Sequence, residues 1–421
     1  MPDAPHPSAR PQWSELFRVF GRIGLLSFGG PAAQIALMHR ELVETRHWLT
    51  EQSYLRALGL CMLLPGPEAM QLATYAGWRL RGTAGGLLAG LLFVLPGAAV
   101  ITVLALLYIS YGQLAPVQAA FLGVKAAVIV VVFQALQKLA HKALIGAQGW
   151  TLAILSFLGL FVVGVPFPVI IIAAGLWGMW RAPKPGTAHI APAHPSRPLR
   201  TTAIWSTLWA TPLLLLWALD EAFLLQLGLF FSKLAIVTFG GAYAVLGYMT
   251  QTAVTDLGWI TTEAMIDALG LAETTPGPLI LVTQFVALLA GFAQSGTAGA
   301  LVAGLLALWV TFTPCFLWIF LAGPYLERLS AQPRLSAGLT AITAAVVGVI
   351  ANLTLWFALH VVFRSVQTAA PLALPLPVWT SFDPAAGLLT ALAAALMLGL
   401  RMGFVSAMAV LAACGLVLSA L

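Results

Sequence analysis

The sequence predicts an all-α polytopic membrane protein: two homologous repeats in inverted topology, each containing broken, re-entrant helix hairpins. Three observations carry this expectation. The chain is 60% hydrophobic and 8% charged, where a soluble domain carries about 25% charged residues. A pattern is written twice. Ser27-Phe28-Gly29-Gly30 recurs as Thr238-Phe239-Gly240-Gly241, and Pro65-Gly66-Pro67 as Pro276-Gly277-Pro278, each 211 residues on. An ungapped comparison of 27–67 with 238–278 gives 15 identities in 41 positions. Finally, the repeated motifs are helix breakers inside apolar stretches, the layout of secondary transporters built from repeats.

The elements follow in order. Residues 1–12 are polar and proline-rich, expected to be disordered, and carry no charged-then-apolar-then-small pattern of a cleaved signal peptide. Repeat one occupies 13–180. Trp13–Val43 is interrupted at Gly29-Gly30-Pro31, and Glu51–Leu80 at Pro65-Gly66-Pro67. Ala84–Ser110 and Pro116–Leu139 read as unbroken spans, each able to supply the roughly 20 residues a bilayer needs. Trp150–Trp180 breaks at Pro166-Phe167-Pro168. Proline removes a backbone donor and glycine permits positive φ, so each break marks a bend or reversal. A basic, proline-rich cytoplasmic linker follows at 181–202; a metal-binding role for its His189 and His194 is the weaker reading. Residues 203–421 hold an extra apolar segment, Ala203–Leu219, and then repeat two.

Charge placement sets the expected topology. Arg10, Arg18 and Arg22, then Arg40, Arg46 and His47, Arg79 and Arg81, and Lys138 and Lys142 all fall on one side if the three broken segments of repeat one are hairpins. The uncharged turn near Tyr111–Pro116 falls on the other. Straight spans would scatter the basic clusters over both faces, against the positive-inside rule. One crossing by Ala203–Leu219 then places repeat two upside down. The region 250–262, with Asp256 in place of the basic run, and the turn carrying Arg328 and Arg334 fit this; Arg364 and Arg401 do not.

The same features bound the function. A net charge of +6 is explained by basic loops at a membrane surface and does not call for nucleic acid. Cys61, Cys315 and Cys414 are scattered in apolar segments and read as core residues. No GxxxxGK[ST] loop supports an ATP-driven pump, and no HExxH or GxSxG motif supports a membrane enzyme. A channel is the nearer rival, since hairpins also build pores. Inverted repeats favour alternating access, and no cofactor or metal is expected.

The motifs resemble the chromate ion transporter family in its long, two-repeat form. The resemblance rests on Phe28-Gly29-Gly30-Pro31, the following His39-Arg40-Glu41 and Trp48, and Leu64-Pro65-Gly66-Pro67 with Gln71. In the second half it continues through Thr238-Phe239-Gly240-Gly241, Trp259 and the run from Gly270 to Pro278, and it covers about 13–420. It implies chromate efflux across the bacterial inner membrane, giving chromate resistance. Sulfate has the same charge and shape, so another small oxyanion is the alternative substrate, and a homodimer is left open. Ala242 stands where the first copy has Pro31, so the halves are not interchangeable.

Candidate site residues come from what such an anion needs. A tetrahedral dianion with only acceptor oxygens requires donors, and a hairpin tip exposes backbone amides at a helix N-terminus, where the dipole also favours negative charge. This singles out Gly29, Gly30, Gly66, Gly240, Gly241 and Gly277, with the hydroxyls of Ser27, Thr238, Thr274 and Thr275 beside them. The competing reading of the glycines is close helix packing. Arg22 and Lys233 each stand five residues before the repeated motif, as a paired basic environment or as side chains snorkelling to the interface. Lys125 lies inside an apolar run, where an unpaired charge is costly, so a partner or a binding role is expected. Glu68 and Glu273 flank the two Pro-Gly-Pro motifs without acidic counterparts, as coupling groups or as charge-balancing, structural carboxylates. Gln71 and Gln284 are expected polar lining, and His39 a satisfied or solvated histidine. Gly86–Gly90 and Ala300–Gly304 are small-residue faces for packing within the monomer.

Overall fold

Breaks between apolar helices decide how this chain folds. A computed structural model describes residues 11–182, 197–239, 242–326, 332–369 and 374–420. Residues 1–10, Gly240, Gly241, Arg328 and the linker stretch with His189 and His194 lie outside the described residues.

Helix α1 (Trp13–Leu26) ends at Ser27, and α2 (Gly30–His39) restarts after Gly29 and runs on through a π-helical turn, Arg40–Thr45. The two are antiparallel arms of a hairpin. Arg46 lies 3.5 Å from Glu15, and Arg22 lies 3.6 Å from Glu41, so the chain has returned beside its start. Helix α3 (Glu51–Leu63) begins at the same end, where His39 Nε2 meets Glu51 at 2.6 Å. It runs to Pro65-Gly66-Pro67, and α4 (Glu68–Tyr111) runs back. Helix α4 is itself two helices, because Arg81 (φ −138°) and Gly82 (φ 64°) leave the helical region. Its arms fold against each other so closely that a Cβ at Gly85 would stand 2.5 Å from the Gly77 carbonyl. Only glycine permits that approach. Arg81 Nε donates to the Pro11 carbonyl at 2.7 Å, bringing the second hairpin home to the end where the first began.

Beyond this come α5 (Ala115–Ala143), α6 (Gly146–Leu158) with a π-helical turn at Gly159–Val163, α7 (Phe167–Arg181) and α8 (Pro198–Ala218). Repeat two retraces the first. Helices α9 (Ala222–Val237) and α10 (Ala242–Thr250), with a π-helical turn at Gln251–Asp256, flank its first tip. Helix α11 (Thr262–Thr274) leads to the second tip, a 3₁₀ turn at Leu279–Leu281 and α12 (Val282–Ala322). Helix α12 reverses at Ser295 (φ −146°) and Gly296 (φ 61°), as α4 does. Helix α13 (Pro333–Val362), a two-stranded antiparallel hairpin (β1, Val366–Ala369; β2, Leu374–Pro377), α14 (Pro384–Ala394) with a π-helical turn at Ala395–Gly399, and α15 (Phe404–Ala420) complete the chain.

Five described stretches are long and apolar enough to cross a membrane: Glu68–Tyr111, Ala115–Ala143, Gly146–Val163, Leu279–Tyr325 and Pro333–Val362. The repeats are interlocked rather than side by side. The long arms of α4 and α12 run antiparallel, with Gly86 against the Phe320 ring and Gly90 against the Phe316 ring. Helices α6 and α7 of repeat one pack on α13 of repeat two, while α14 and α15 pack on α5. One buried apolar cluster therefore takes residues from both repeats, Phe20 and Phe93 with Phe231 and Phe285. In a lipid setting such contacts depend on small residues that let backbones touch, and Gly123 against the Leu411 carbonyl and Gly348 against the Ala153 carbonyl are of that kind.

Two features depart from the sequence expectation. The β1–β2 hairpin is absent from an all-α reading. It is closed by Arg364, whose guanidinium holds Asp383 Oδ2 at 2.9 Å, which accounts for one of the two arginines outside the charge pattern. The other, Arg401, sits at φ 54° in the turn between α14 and α15. That turn makes a third hairpin in repeat two, matching α6–α7, where Gly164 (φ 73°) plays the same part. It carries no Pro-Phe-Pro signal, so the pattern of breakers does not mark it.

Candidate functional site

The four motif breaks come together at the seam between the repeats. Gly66 (φ 119°) and Gly277 (φ 91°) occupy backbone conformations that disfavour any side chain. Each turns its amide across the seam. The Gly66 N–H donates to the Thr238 carbonyl at 2.8 Å, and the Gly277 N–H donates to the Ser27 carbonyl at 3.0 Å. The Pro-Gly-Pro turn of each repeat is thus docked on the residue that opens the other repeat's motif, Ser27 in repeat one and Thr238 in repeat two.

Gln34, one turn into α2, reinforces one crossing. Its Nε2 donates to the Gly277 carbonyl at 2.6 Å and to the Ser27 carbonyl at 3.2 Å. Gln71 Nε2 donates to the Pro65 carbonyl at 2.7 Å, and Gln284 Nε2 to Thr102 Oγ1 at 2.8 Å. The side-chain oxygens of all three glutamines are buried with no hydrogen-bond partner among the described residues.

Side-chain caps close the corner helices α3 and α11, but not α1 or α9 and not the helix starts at the tips. Thr50 caps α3 by accepting from Ser53 N, and Thr261 caps α11 by accepting from Ala264 N. At the tips, Gly29 before α2, Pro67 before α4 and Pro278 before the 3₁₀ turn supply no side-chain cap. The first amides of these helices are left for another acceptor.

The hydroxyls proposed as donors are engaged otherwise. Ser27 Oγ donates to the Ile23 carbonyl at 2.5 Å and Thr238 Oγ1 to the Leu234 carbonyl at 2.6 Å. Thr274 and Thr275 donate to the carbonyls of Leu271 and Ala272. In this conformation their protons satisfy helix ends, as do the amides of Gly66 and Gly277 across the seam, and the donors that remain at the tips are backbone amides.

The charged candidates separate into distinct sites. Arg22 pairs with buried Glu41, whereas its counterpart Lys233 lies 5.4 Å from the centre of the Tyr248 ring, so the two cations have unlike partners. Lys125 has the partner its burial demands: its Nζ lies 3.6 Å from Asp267 Oδ1, and Tyr108 Oη donates to Asp267 Oδ2 at 2.9 Å. These three residues border a cavity of ≈ 520 Å³. Glu273 is buried and accepts a hydrogen bond from Tyr243. Glu68 is half-buried and borders a cavity of ≈ 260 Å³ with Gly66 and Lys142. His39 is held between Glu44 at 3.0 Å and Glu51 at 2.6 Å. Among the described residues no group of three or more His, Cys, Asp or Glu could hold a metal ion.

Sequence reasoning missed Gln34, Tyr108, Tyr243 and Asp267. Asp267 carried a readable signal, a carboxylate inside the apolar run from Ala264 to Leu271, of the same kind that singled out Lys125. The other three gain meaning only from what the fold brings to them.

Comparison with known proteins points the same way. The chromate transporter family matches residues 14–179 and 225–418, leaving out the linker and α8. The chain is 33% identical over 348 residues to a chromate transport protein of Cupriavidus metallidurans, covering 80% of each. It is 34% identical over 368 residues to a chromate transport protein of Pseudomonas aeruginosa, covering 83% of this chain and 82% of that one. A probable chromate transport protein of Synechococcus elongatus is 32% identical over 344 residues, covering 80% and 82%. No solved structure matches the chain. With both of its repeats matched, the chain belongs to the chromate transporter family.

Proposed function

We propose that this chain is a secondary transporter that exports chromate across the bacterial inner membrane by alternating access, holding the anion at the helix starts of the Phe-Gly-Gly and Pro-Gly-Pro hairpins. The observation that carries this reading is the build of the tips: Gly29, Pro67 and Pro278 offer no side-chain acceptor to the first amides of the helices they precede, and the two Pro-Gly-Pro tips meet the opposite repeat at the seam. Uncapped amides and a dipole of about half a positive charge suit an oxyanion and require no buried cation.

The antiparallel long arms of α4 and α12 support inverted repeats, and the tip-to-tip crossings support a gate at the seam. The Gly66–Thr238 crossing is one backbone hydrogen bond between repeats, and the Gly277–Ser27 crossing is one backbone hydrogen bond reinforced by Gln34. Releasing one while the other holds would free an amide for the anion and open a path to one side only. Helix α8 is 21 residues long but falls outside the five stretches apolar enough to span, so inversion of repeat two depends on α8 crossing nevertheless. A cysteine placed beside Trp48 and one beside Trp259 should therefore react with an impermeant label from opposite membrane faces; reaction from a single face refutes inversion.

The function is tested by chromate flux in proteoliposomes, with sulfate as competitor and an imposed proton gradient. Concentrative, chromate-selective flux supports the proposal. Flux of sulfate in preference to chromate assigns the site to another oxyanion, and absence of anion flux by folded protein rejects the proposal.

A further inference from the structure

The cavity of ≈ 520 Å³ lies away from the crossing tips, beside the corner at Trp259–Thr261 and the start of α5, with Gln113, Gln118 and Thr261 on its border. Lys125 and Asp267 also border it, with side chains 18% and 6% exposed. Asp267 precedes the end of α11 by seven residues, so it stands about 10 Å outward from the Pro-Gly-Pro tip at 1.5 Å per residue. The pair thus lies between that end of the molecule and the seam.

Its bonding is uneven. Oδ2 of Asp267 accepts from Tyr108, whereas Oδ1, the oxygen nearest Lys125, is buried and has no hydrogen-bond partner among the described residues. At 3.6 Å the contact with Lys125 is an ion pair too long for a hydrogen bond. Asp267 is therefore well held through one oxygen and loosely engaged through the other.

Resting on the reading above, we infer that Lys125 and Asp267 form a charge-exchange site: a dianion entering this cavity replaces Asp267 on Lys125, and Asp267 takes up one proton. The chemistry is balanced. Lys125 keeps its proton, the carboxylate becomes a carboxylic acid at Oδ1, and Tyr108 still donates to Oδ2. A dianion and an ionised Asp267 would otherwise share one ammonium group, leaving two neighbouring negative charges in a poorly solvated place. The titratable groups around Asp267 are Tyr108 on α4, Lys125 on α5 and Glu263 one turn earlier on α11; α12 contributes Leu289 and Phe292, which are apolar. Nothing in repeat one answers to this carboxylate, since Arg56 stands in the equivalent position.

Proton linkage gives a direct readout. Chromate affinity of the purified full-length protein would be measured by calorimetry between about pH 7.5 and 9, with chromate a dianion throughout and about one proton taken up per anion. Affinity should then strengthen about tenfold for each unit of acidification. Asp267→Asn should make affinity independent of pH, and Glu263→Gln should leave the dependence intact. Should Asp267→Asn fail to fold with Lys125 unpaired, the double variant Lys125→Met with Asp267→Asn buries neither charge and should bind weakly and without pH dependence. A pH dependence that survives in Asp267→Asn or in the double variant, or that vanishes in Glu263→Gln, overturns the inference while leaving the proposed transport intact. Wild-type protein that binds neither chromate nor sulfate removes both.

Discussion

The two repeats agree in backbone and disagree in charge. The reversal at Arg81–Gly82 is matched at Ser295–Gly296, the π-helical turn at Arg40–Thr45 at Gln251–Asp256, and the Gly66 tip at Gly277. Charged side chains and Gln34 follow no such rule, although the hydroxyls at Thr50/Thr261 and Ser27/Thr238 are matched. Gln34 answers to Val245, Glu68 to Leu279, Asp267 to Arg56, and the Arg22–Glu41 ion pair to a lysine over the Tyr248 ring. A duplicated backbone with unduplicated charges separates two tasks. The breaks build a scaffold that can tilt either way about the seam, and the charges make its two ends respond differently to an anion or a proton.

The sharpest way to break that comparison is at the tips, where the repeats should be equally intolerant. A valine at Gly66 meets positive φ and, at Cβ, Cys315 Sγ at 2.8 Å and Gln71 Nε2 at 2.9 Å. A valine at Gly277 meets the same kind of φ and Leu281 at 3.1 Å. Strain of this kind costs on the order of 1–3 kcal/mol per residue before any clash is counted. Both substitutions should abolish flux and lower the melting temperature in detergent, Gly66→Val the more. Near-normal flux in either would mean that its crossing is not part of the moving seam.

Charge should behave in the opposite way, with effects confined to one repeat. Lys125→Ala leaves Asp267 buried without its cation, a loss of about 3–5 kcal/mol when a buried pair is broken on one side. Transport should fall with stability, and adding Asp267→Asn should restore the melting temperature but not the flux. Restoration of both would reduce the pair to a structural ion pair. A smaller effect is expected of Gln34→Val, which installs the residue of repeat two. It leaves the Gly277 carbonyl without its side-chain donor at about 1–3 kcal/mol. Flux measured beside thermal stability should show a modest loss in both; a rise in stability would show that Gln34 strains the seam.

How much could be read beforehand follows from the same division. Breakers announce themselves, so Gly29-Gly30-Pro31 and Pro65-Gly66-Pro67 were legible together with their copies and with the hairpins they make. The crossing of tips was not, because an amide of Gly66 and a carbonyl of Thr238 are backbone groups 172 residues apart with no side-chain signature (238 − 66). Lys125 was legible as a charge that needed a partner, yet several carboxylates could have served. The choice of Asp267 depends on α5 and α11 meeting where Gly270 packs on Val124. The turn at Arg401 was hidden because a non-glycine residue takes up the positive φ there.

The mildest expectation concerns the β1–β2 hairpin, which repeat two carries outside its helices and which has no counterpart among the described residues of repeat one. Asp383 caps α14 by accepting from the amides of Ala385 at 3.0 Å and Ala386 at 3.2 Å while holding Arg364. Burial works to raise its pKa, but the Ala386 amide, Arg364 and the Ala385 amide outweigh it and hold the pKa below its ordinary value. A carboxylate depressed by folding adds stability that is fully present above the unfolded value of about 3.9 and is lost as pH falls through the folded value. Asp383→Ala should therefore lower the melting temperature at neutral pH by the equivalent of about 0.5–2 kcal/mol. The gap from wild type should narrow on acidification below about pH 4, as the wild-type carboxylate is protonated in its turn. Because α14 and α15 pack on α5, which carries Lys125, a change in flux larger than this loss of stability would show that the third hairpin helps to position the charge-exchange pair.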